Sequence, residues 1–131
     1  MESRSVEYGG KEYICPLELA MDLIGGKWKP LMIFHLRHGP LRSCDLQRTL
    51  TGISTKMFTQ TARELEHSGI ISRQIYPVIP PRVDYSLTEL GQSVVPQVVE
   101  LARWGNAISG GRFDIDTCDL PEGKAPGKSQ A

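Results

Sequence analysis

A mainly α chain with one small β-hairpin is the fold class this sequence predicts, and three observations predict it. Apolar residues recur at helical spacing in five stretches between Pro16 and Ile108. Two short segments, 70–76 and 82–87, are instead rich in β-branched and aromatic residues and flank a proline-rich loop. Charge is segregated: residues 27–86 hold nine Lys/Arg against four Asp/Glu, residues 1–26 two against five, and residues 87–131 four against six. A chain of zero overall charge thus has a basic middle of +5 between acidic ends, as a nucleic-acid face between separate assembly elements would require.

At 131 residues the chain suits a single domain with a modest core, folded over 13–109. A polar, flexible leader is expected at 1–12 and a disordered tail at 110–131, where periodicity is lost and DLPEGKAPGKSQA carries little to bury. No second, enzymatic domain fits. The leader lacks the apolar run of a signal peptide, and no segment approaches the ~20 apolar residues that span a bilayer, so a cytoplasmic protein is expected. An odd number of cysteines, three, argues against a disulfide framework.

Pro16 suits a first helical turn, and Leu17, Ala20, Met21 and Ile24 follow at helix spacing until Gly25-Gly26. Pro30 opens a second helix, LMIFHLRH, apolar nearly all round and hence the buried centre of the domain, stopped by Gly39-Pro40. Leu41 forms a brief extended link. Ser43 to Leu50 reads as a third helix with Leu46 and Leu50 inward, and Thr51-Gly52 as a turn. The fourth helix starts at Ser54, which can cap the free N–H groups of its first turn, while Ile53 can pack on Phe58 as a staple; Gly69 ends it.

Around that fourth helix Met57, Phe58, Ala62 and Leu65 fall on one side, and Lys56, Thr59, Gln60, Arg63 and His67 on the other. An outward face of two cations, a hydroxyl, an amide and a histidine donates readily to phosphates and base edges. Two short helices joined by a tight glycine turn, followed by the strands 70–76 and 82–87 around Pro77-Val78-Ile79-Pro80-Pro81, make a winged helix-turn-helix. Arg82 on the wing and Arg73 at its base are placed to meet phosphates, and a wing arginine can enter the minor groove. Thr88 caps a last helix in which Leu90, Val94, Val98, Leu101, Gly105 and Ile108 share a face, and Pro96 is expected to kink it. Val95, Val99, Ala102 and Trp104 widen that face beyond what one small domain covers, so a dimeric protein is predicted.

The segments CPLELAMDLIGGKWKP, HGPLR, GISTKMFTQTARELEHSGIISR and YPVIPPRVDYSLTELG closely resemble the HxlR family of bacterial winged-helix regulators, relatives of the MarR group, over about Cys15 to Trp104. The resemblance implies a transcriptional regulator: a homodimer held by its first and last helices on a palindromic double-stranded DNA operator, with a recognition helix at Ser54–Ser68 and a wing at Tyr76–Val83. Within it, Ser54 and Thr55 at the helix start are expected to contact DNA together with Lys56 and Arg63, which meet phosphate or guanine, and Thr59 and Gln60, which meet base edges, while His67 lies too far along to reach a groove. The cysteine of the Cys-Pro pair, here Cys15, is the redox-sensing thiol of members that respond to quinones, aldehydes or hypochlorite. The third helix departs from the family pattern, with Arg42, Ser43, Cys44 and Asp45 where an aromatic usually follows the arginine.

Cys15 also stands at a helix start, where free N–H groups and the helix dipole favour a thiolate; the alternative is an ordinary, partly buried cysteine. Cys118 in the tail and Cys44 are candidate resolving thiols across a dimer, Cys44 being otherwise a packed residue of the third helix. His35 and His38 with Cys44 match no standard zinc spacing, and no metal or cofactor is expected. Trp28 and Trp104 either line a small-ligand pocket at the dimer interface or pack in the core. Rival functions are a thiol enzyme at Cys15, which lacks a nearby base and orienting residue and is not expected, and a winged-helix module used only for protein contact, against which Lys56, Gln60 and Arg63 argue.

Overall fold

The computed structural model describes residues 5–115. In chain order these form β1 (Val6–Tyr8), β2 (Lys11–Tyr13), α1 (Pro16–Ile24), α2 (Trp28–His35), β3 (Leu41–Arg42), α3 (Ser43–Thr49), α4 (Thr55–His67), β4 (Ile71–Tyr76), β5 (Arg82–Leu87) and α5 (Glu89–Ile108). α2 is central, as its all-round apolar sequence predicts: Met32, Ile33 and Leu36 are fully buried, and α3, α4 and α5 all pack on it. Leu46 and Leu50 enter the same core from α3, and Phe58, Ala62 and Leu65 from α4.

The α3–α4 turn is set locally. Gly52 takes φ +91°, a left-handed conformation that a side chain would strain, and the Ile53 N–H donates to the Leu50 carbonyl at 3.0 Å. Gln47 Nε2 donates to Thr55 Oγ1 at 3.2 Å, bridging the two helices. Ser54 caps α4, its Oγ accepting from the Met57 N–H at 3.0 Å. At the other end the N–H of Gly69 bonds the Glu66 carbonyl at 3.0 Å and the N–H of Ile70 bonds that of Leu65 at 2.9 Å, a Schellman motif closed by the buried Leu65–Ile70 pair.

The wing is a three-stranded antiparallel sheet in the order β3-β5-β4, with Ile71 opposite Leu87, Tyr76 opposite Arg82, and Leu41 opposite Tyr85. Tyr85 meets Phe58 edge-to-face at 6.1 Å, fastening the sheet to α4. α5 starts against the end of α4. The Ile70 carbonyl accepts from the Thr88 N–H at 3.0 Å and shares the Thr88 hydroxyl, 3.1 Å away, with the Gly69 carbonyl, and Gly91 lies so close that a Cβ there would sit 2.2 Å from the Ile70 oxygen. α5 continues as one helix through Pro96.

Four features differ from the sequence reading. The leader is not without structure: Tyr8-Gly9-Gly10-Lys11 turns β1 onto β2, with both glycines at positive φ, and Tyr13 is buried with its hydroxyl donating to Asp22 Oδ2 at 2.7 Å. Lys11 Nζ joins the same carboxylate at 3.2 Å. The domain does not stop at 109, because residues 110–115 fold back and bury Ile115, whose carbonyl accepts from Arg37 Nη2 at 2.7 Å. Asn106 holds this return on both sides, its Oδ1 accepting from the Phe113 N–H at 3.0 Å and its Nδ2 donating to the Phe113 carbonyl at 2.9 Å. In α4 the inward residues are Phe58, Thr61, Ala62 and Leu65, while Met57 is exposed on the flank of the outer face. The fourth is Trp104, which is 65% exposed on α5 rather than packed in the core. The tail from 116 onward, with Cys118, lies outside the described residues.

Candidate nucleic-acid interface

α4 presents Lys56, Thr59, Gln60, Arg63 and His67 outward, all exposed, beside the wing. Ser54 and Thr55 do structural work at its start, one as cap and the other as acceptor for Gln47. Among the described residues no carboxylate pairs with Lys56 or Arg63, so both keep their charge available to an anion. Gln60 is engaged, its Nε2 donating to Glu64 Oε2 at 3.2 Å. Lys29 Nζ lies 3.2 Å from the other oxygen of Glu64. The Gln60 hydrogen bond, and after it Lys29, holds the Glu64 carboxyl below the usual carboxylate range, against a smaller opposing effect of desolvation.

The two wing arginines are paired. Arg82 grips Asp84 with both Nε and Nη2 at 3.1 Å and lies 5.0 Å above the Tyr76 ring, and Arg73 Nε stands 3.5 Å from Glu66 Oε2. Each therefore reaches a phosphate only in competition with a carboxylate. Arg42, which the sequence reading left out of the site, is an exposed cation without such a partner among the described residues. It ends β3 opposite Asp84 and, with Ser43, Gln47 and Arg82, lines a groove of about 540 Å³ between the start of α3 and the wing tip. Its position inside HGPLR, directly before the first helix of the turn, was the available signal.

Cys15 occupies the cap position of α1, exposed, with its carbonyl accepting from the Glu18 N–H at 2.9 Å and with Pro16 in the first turn. Cys44 is also exposed, which corrects the reading of it as a packed residue; it faces the groove below the wing. His35 is half-buried and edge-on to Phe34 at 5.6 Å, and His38 is exposed. Among the described residues no three His, Cys, Asp or Glu side chains converge as a metal site, and no helix is long and apolar enough to cross a membrane.

An apolar cavity of about 600 Å³ opens between α2, α5 and the return segment, lined by Leu31, Phe34, Val98, Leu101, Phe113 and Ile115 among others. Neither tryptophan lines it. Trp28 is half-buried at the start of α2 under the Lys27 ammonium, 4.5 Å from its ring, and Trp104 faces outward with Leu101 and Ile108.

The HxlR-like helix-turn-helix family matches residues 23–111. An HTH-type transcriptional regulator of Methanothermobacter thermautotrophicus is 48% identical over 99 residues, 76% of either chain. YkvN, an HTH-type transcriptional regulator of Bacillus subtilis, is 47% identical over 95 residues, 72% of this chain and 80% of its own. Among solved structures the redox regulator HypR in its oxidized form is similar at a TM-score of 0.68 and 41% identity, covering 71% of this chain and 96% of that one. Its reduced form gives 0.69 and 38% identity, over 73% and 95%. The match takes in both helices of the turn, the wing between them and α5, and the chain belongs to the HxlR-like helix-turn-helix family of DNA-binding transcriptional regulators.

Proposed function

We propose that this regulator is a cytoplasmic homodimeric repressor that binds a palindromic operator, lays α4 in the major groove of each half-site, and leaves the DNA when Cys15 is oxidised or alkylated. The observation that carries the reading is the outer face of α4, where Lys56 and Arg63 have no carboxylate partner among the described residues and stand around Thr59 and Gln60 next to the wing. Dimerisation is supported by apolar residues left in solvent on both end helices: Leu17 and Met21 on α1, and Leu90, Leu101, Trp104 and Ile108 on α5. Two-fold symmetry then sets half-site centres ~34–36 Å apart, or a multiple, if the two helices enter successive major grooves. For Cys15, exposure at a helix start and the similarity to a redox regulator support the switch.

Fluorescence anisotropy on DNA from directly upstream of its own gene tests the proposal, run at two salt concentrations, reduced and after a mild oxidant. Affinity that falls steeply with salt and is lost on oxidation is expected. Absent or salt-independent binding, on that DNA and on DNA selected from random sequence, refutes the operator half. Unchanged affinity after oxidation, or full cross-linking of Cys15→Ser on non-reducing gels, refutes the thiol half. The cavity of about 600 Å³ favours a second input, an uncharged apolar effector, which binding unaffected by oxidant would bring forward.

A further inference from the structure

The wing ends in an apolar point. Between Tyr76 and Arg82 the chain reads Pro77-Val78-Ile79-Pro80-Pro81, and Ile79 is 99% exposed with Val78 at 53%. Ile75 and Tyr76, at the tip end of β4, are also exposed, on opposite faces of the strand. A single solvent-facing aliphatic residue needs no explanation, but a contiguous group at the outermost turn of the domain does. Ile79 contributes nothing to the core, and its tip has no cation of its own, because Arg82 is folded back onto Asp84 and Tyr76. The loop is stiff: three of five residues are proline, and the Val78 N–H is tied to the Tyr76 carbonyl at 2.8 Å.

We infer that this tip is a minor-groove wedge: Ile79, backed by Val78 and the prolines, inserts beside or between base pairs flanking the α4 site and bends the DNA. The inference rests on the operator reading and names what the wing does there. Three features select duplex DNA as the partner. The wing is fastened to α4 through Tyr85–Phe58 and Arg73–Glu66, no carboxylate occurs from Tyr76 to Val83, and Arg42 and Arg82 border the groove beneath the tip. The minor groove is where apolar wedges of this kind unstack a step, and a loop already fixed by proline loses little entropy on insertion. Pyrimidine–purine steps open most readily, so the wing should prefer TA or CA/TG at the position it reaches, without any hydrogen bond to a base. An arginine probe would instead favour narrow A-tracts.

The test uses full-length wild type and Ile79→Ser on the duplex that wild type selects from a random-sequence pool. Bending is read by energy transfer between end labels, unstacking by 2-aminopurine placed at the flanking steps, and affinity as a function of salt. Wild type is expected to bend the duplex and to brighten 2-aminopurine at one flanking step per half-site. Ile79→Ser should lose both signals and bind about tenfold or more weakly, as removal of one buried isoleucine contact implies, with an unchanged salt slope because no phosphate contact is lost. Val78→Ser should show a smaller change in the same direction. Since Ile79 is fully exposed, a folding defect is not expected, and a melting curve checks it. Equal bending and affinity in Ile79→Ser overturn the wedge and leave the tip to a protein partner. A loss accompanied by a lower slope also overturns it, by pointing to a displaced cation. No DNA binding by wild type overturns the operator reading along with it.

Discussion

Replacing Gly91 by alanine should loosen the joint between the end of α4 and the start of α5. The added Cβ would lie 2.2 Å from the Ile70 carbonyl oxygen, at least 1.2 Å inside the 3.4 Å at which ordinary contact begins, and 3.1–3.2 Å from the Leu87 side chain. Backbone on one side and a packed leucine on the other leave no soft neighbour to move. Relief requires α5 to lift, which lengthens the two bonds that the Ile70 carbonyl accepts from Thr88. Two such bonds are worth ~1 kcal/mol each, the overpacking costs ~1–3 kcal/mol, and the gain in helix propensity offsets ~1 kcal/mol. The net loss is about 2–4 kcal/mol, a shift of roughly 1–3 M in the urea midpoint at the slopes usual for a domain this size. Urea unfolding followed by circular dichroism measures it. A midpoint unchanged or raised would refute the reasoning, since it would mean that α5 does not bear on the Ile70 carbonyl as described.

Arg63→Ala should weaken all DNA sequences alike and lower the salt slope by about one unit, whereas Arg82→Ala, already paired with Asp84, should lower it by less; anisotropy titrations at several salt concentrations decide. Gln60→Ala should cost ~1–3 kcal/mol at one preferred base, and an operator substitution scan showing equal loss at every position would contradict it. Trp104→Glu places a charge on the apolar face of α5 and should raise the dimer Kd about a hundredfold or more, measured by sedimentation velocity. Glu64 and Asp22 both have folded-state pKa values lowered from ordinary values of 4.5 and 3.8, Glu64 chiefly by Gln60 and Asp22 chiefly by Tyr13. Their stabilisation is therefore full above those ordinary values and is lost as pH falls through the depressed ones. Melts from pH 6 to 3 should show a shallower acid decline for the double variant Glu64→Gln, Asp22→Asn than for wild type.

Most of the frame was legible because the relevant signals are local. The apolar run of α2, the cap at Ser54, the stop at Gly69 and the strands around the prolines each lie within one element. The inner stripe of α4 was misassigned at one residue: Phe58, Thr61, Ala62 and Leu65 keep strict i, i+3, i+4, i+7 spacing, and hydropathy had drawn Met57 in ahead of Thr61. The β1–β2 hairpin had a readable turn in Gly9-Gly10, but strands of three residues with charged members look like leader until Asp22 supplies the partner for Tyr13 and Lys11. The return of 110–115 depends on Arg37, 78 residues from Ile115, and no local pattern reports such a contact. The pairing of Arg82 with Asp84 was readable in principle, since residues two apart on a strand share a face.

The Gln60–Glu64 hydrogen bond bears on how the protein finds its site. On arbitrary DNA the amide already has a carboxylate to bond, so an unsuitable base leaves nothing unsatisfied and exacts no penalty that would hold or eject the helix. On the operator reading proposed above, Lys56 and Arg63 would then carry the domain along the phosphates as a loosely held, sliding ion. Only a base that offers the amide a better geometry than Glu64 draws it outward, and that exchange releases Glu64 wholly to Lys29. On that reading search and commitment would be separated within about two turns of one helix: the cations would set residence time everywhere, and a side chain kept at rest on its own neighbour would set where the sliding stops.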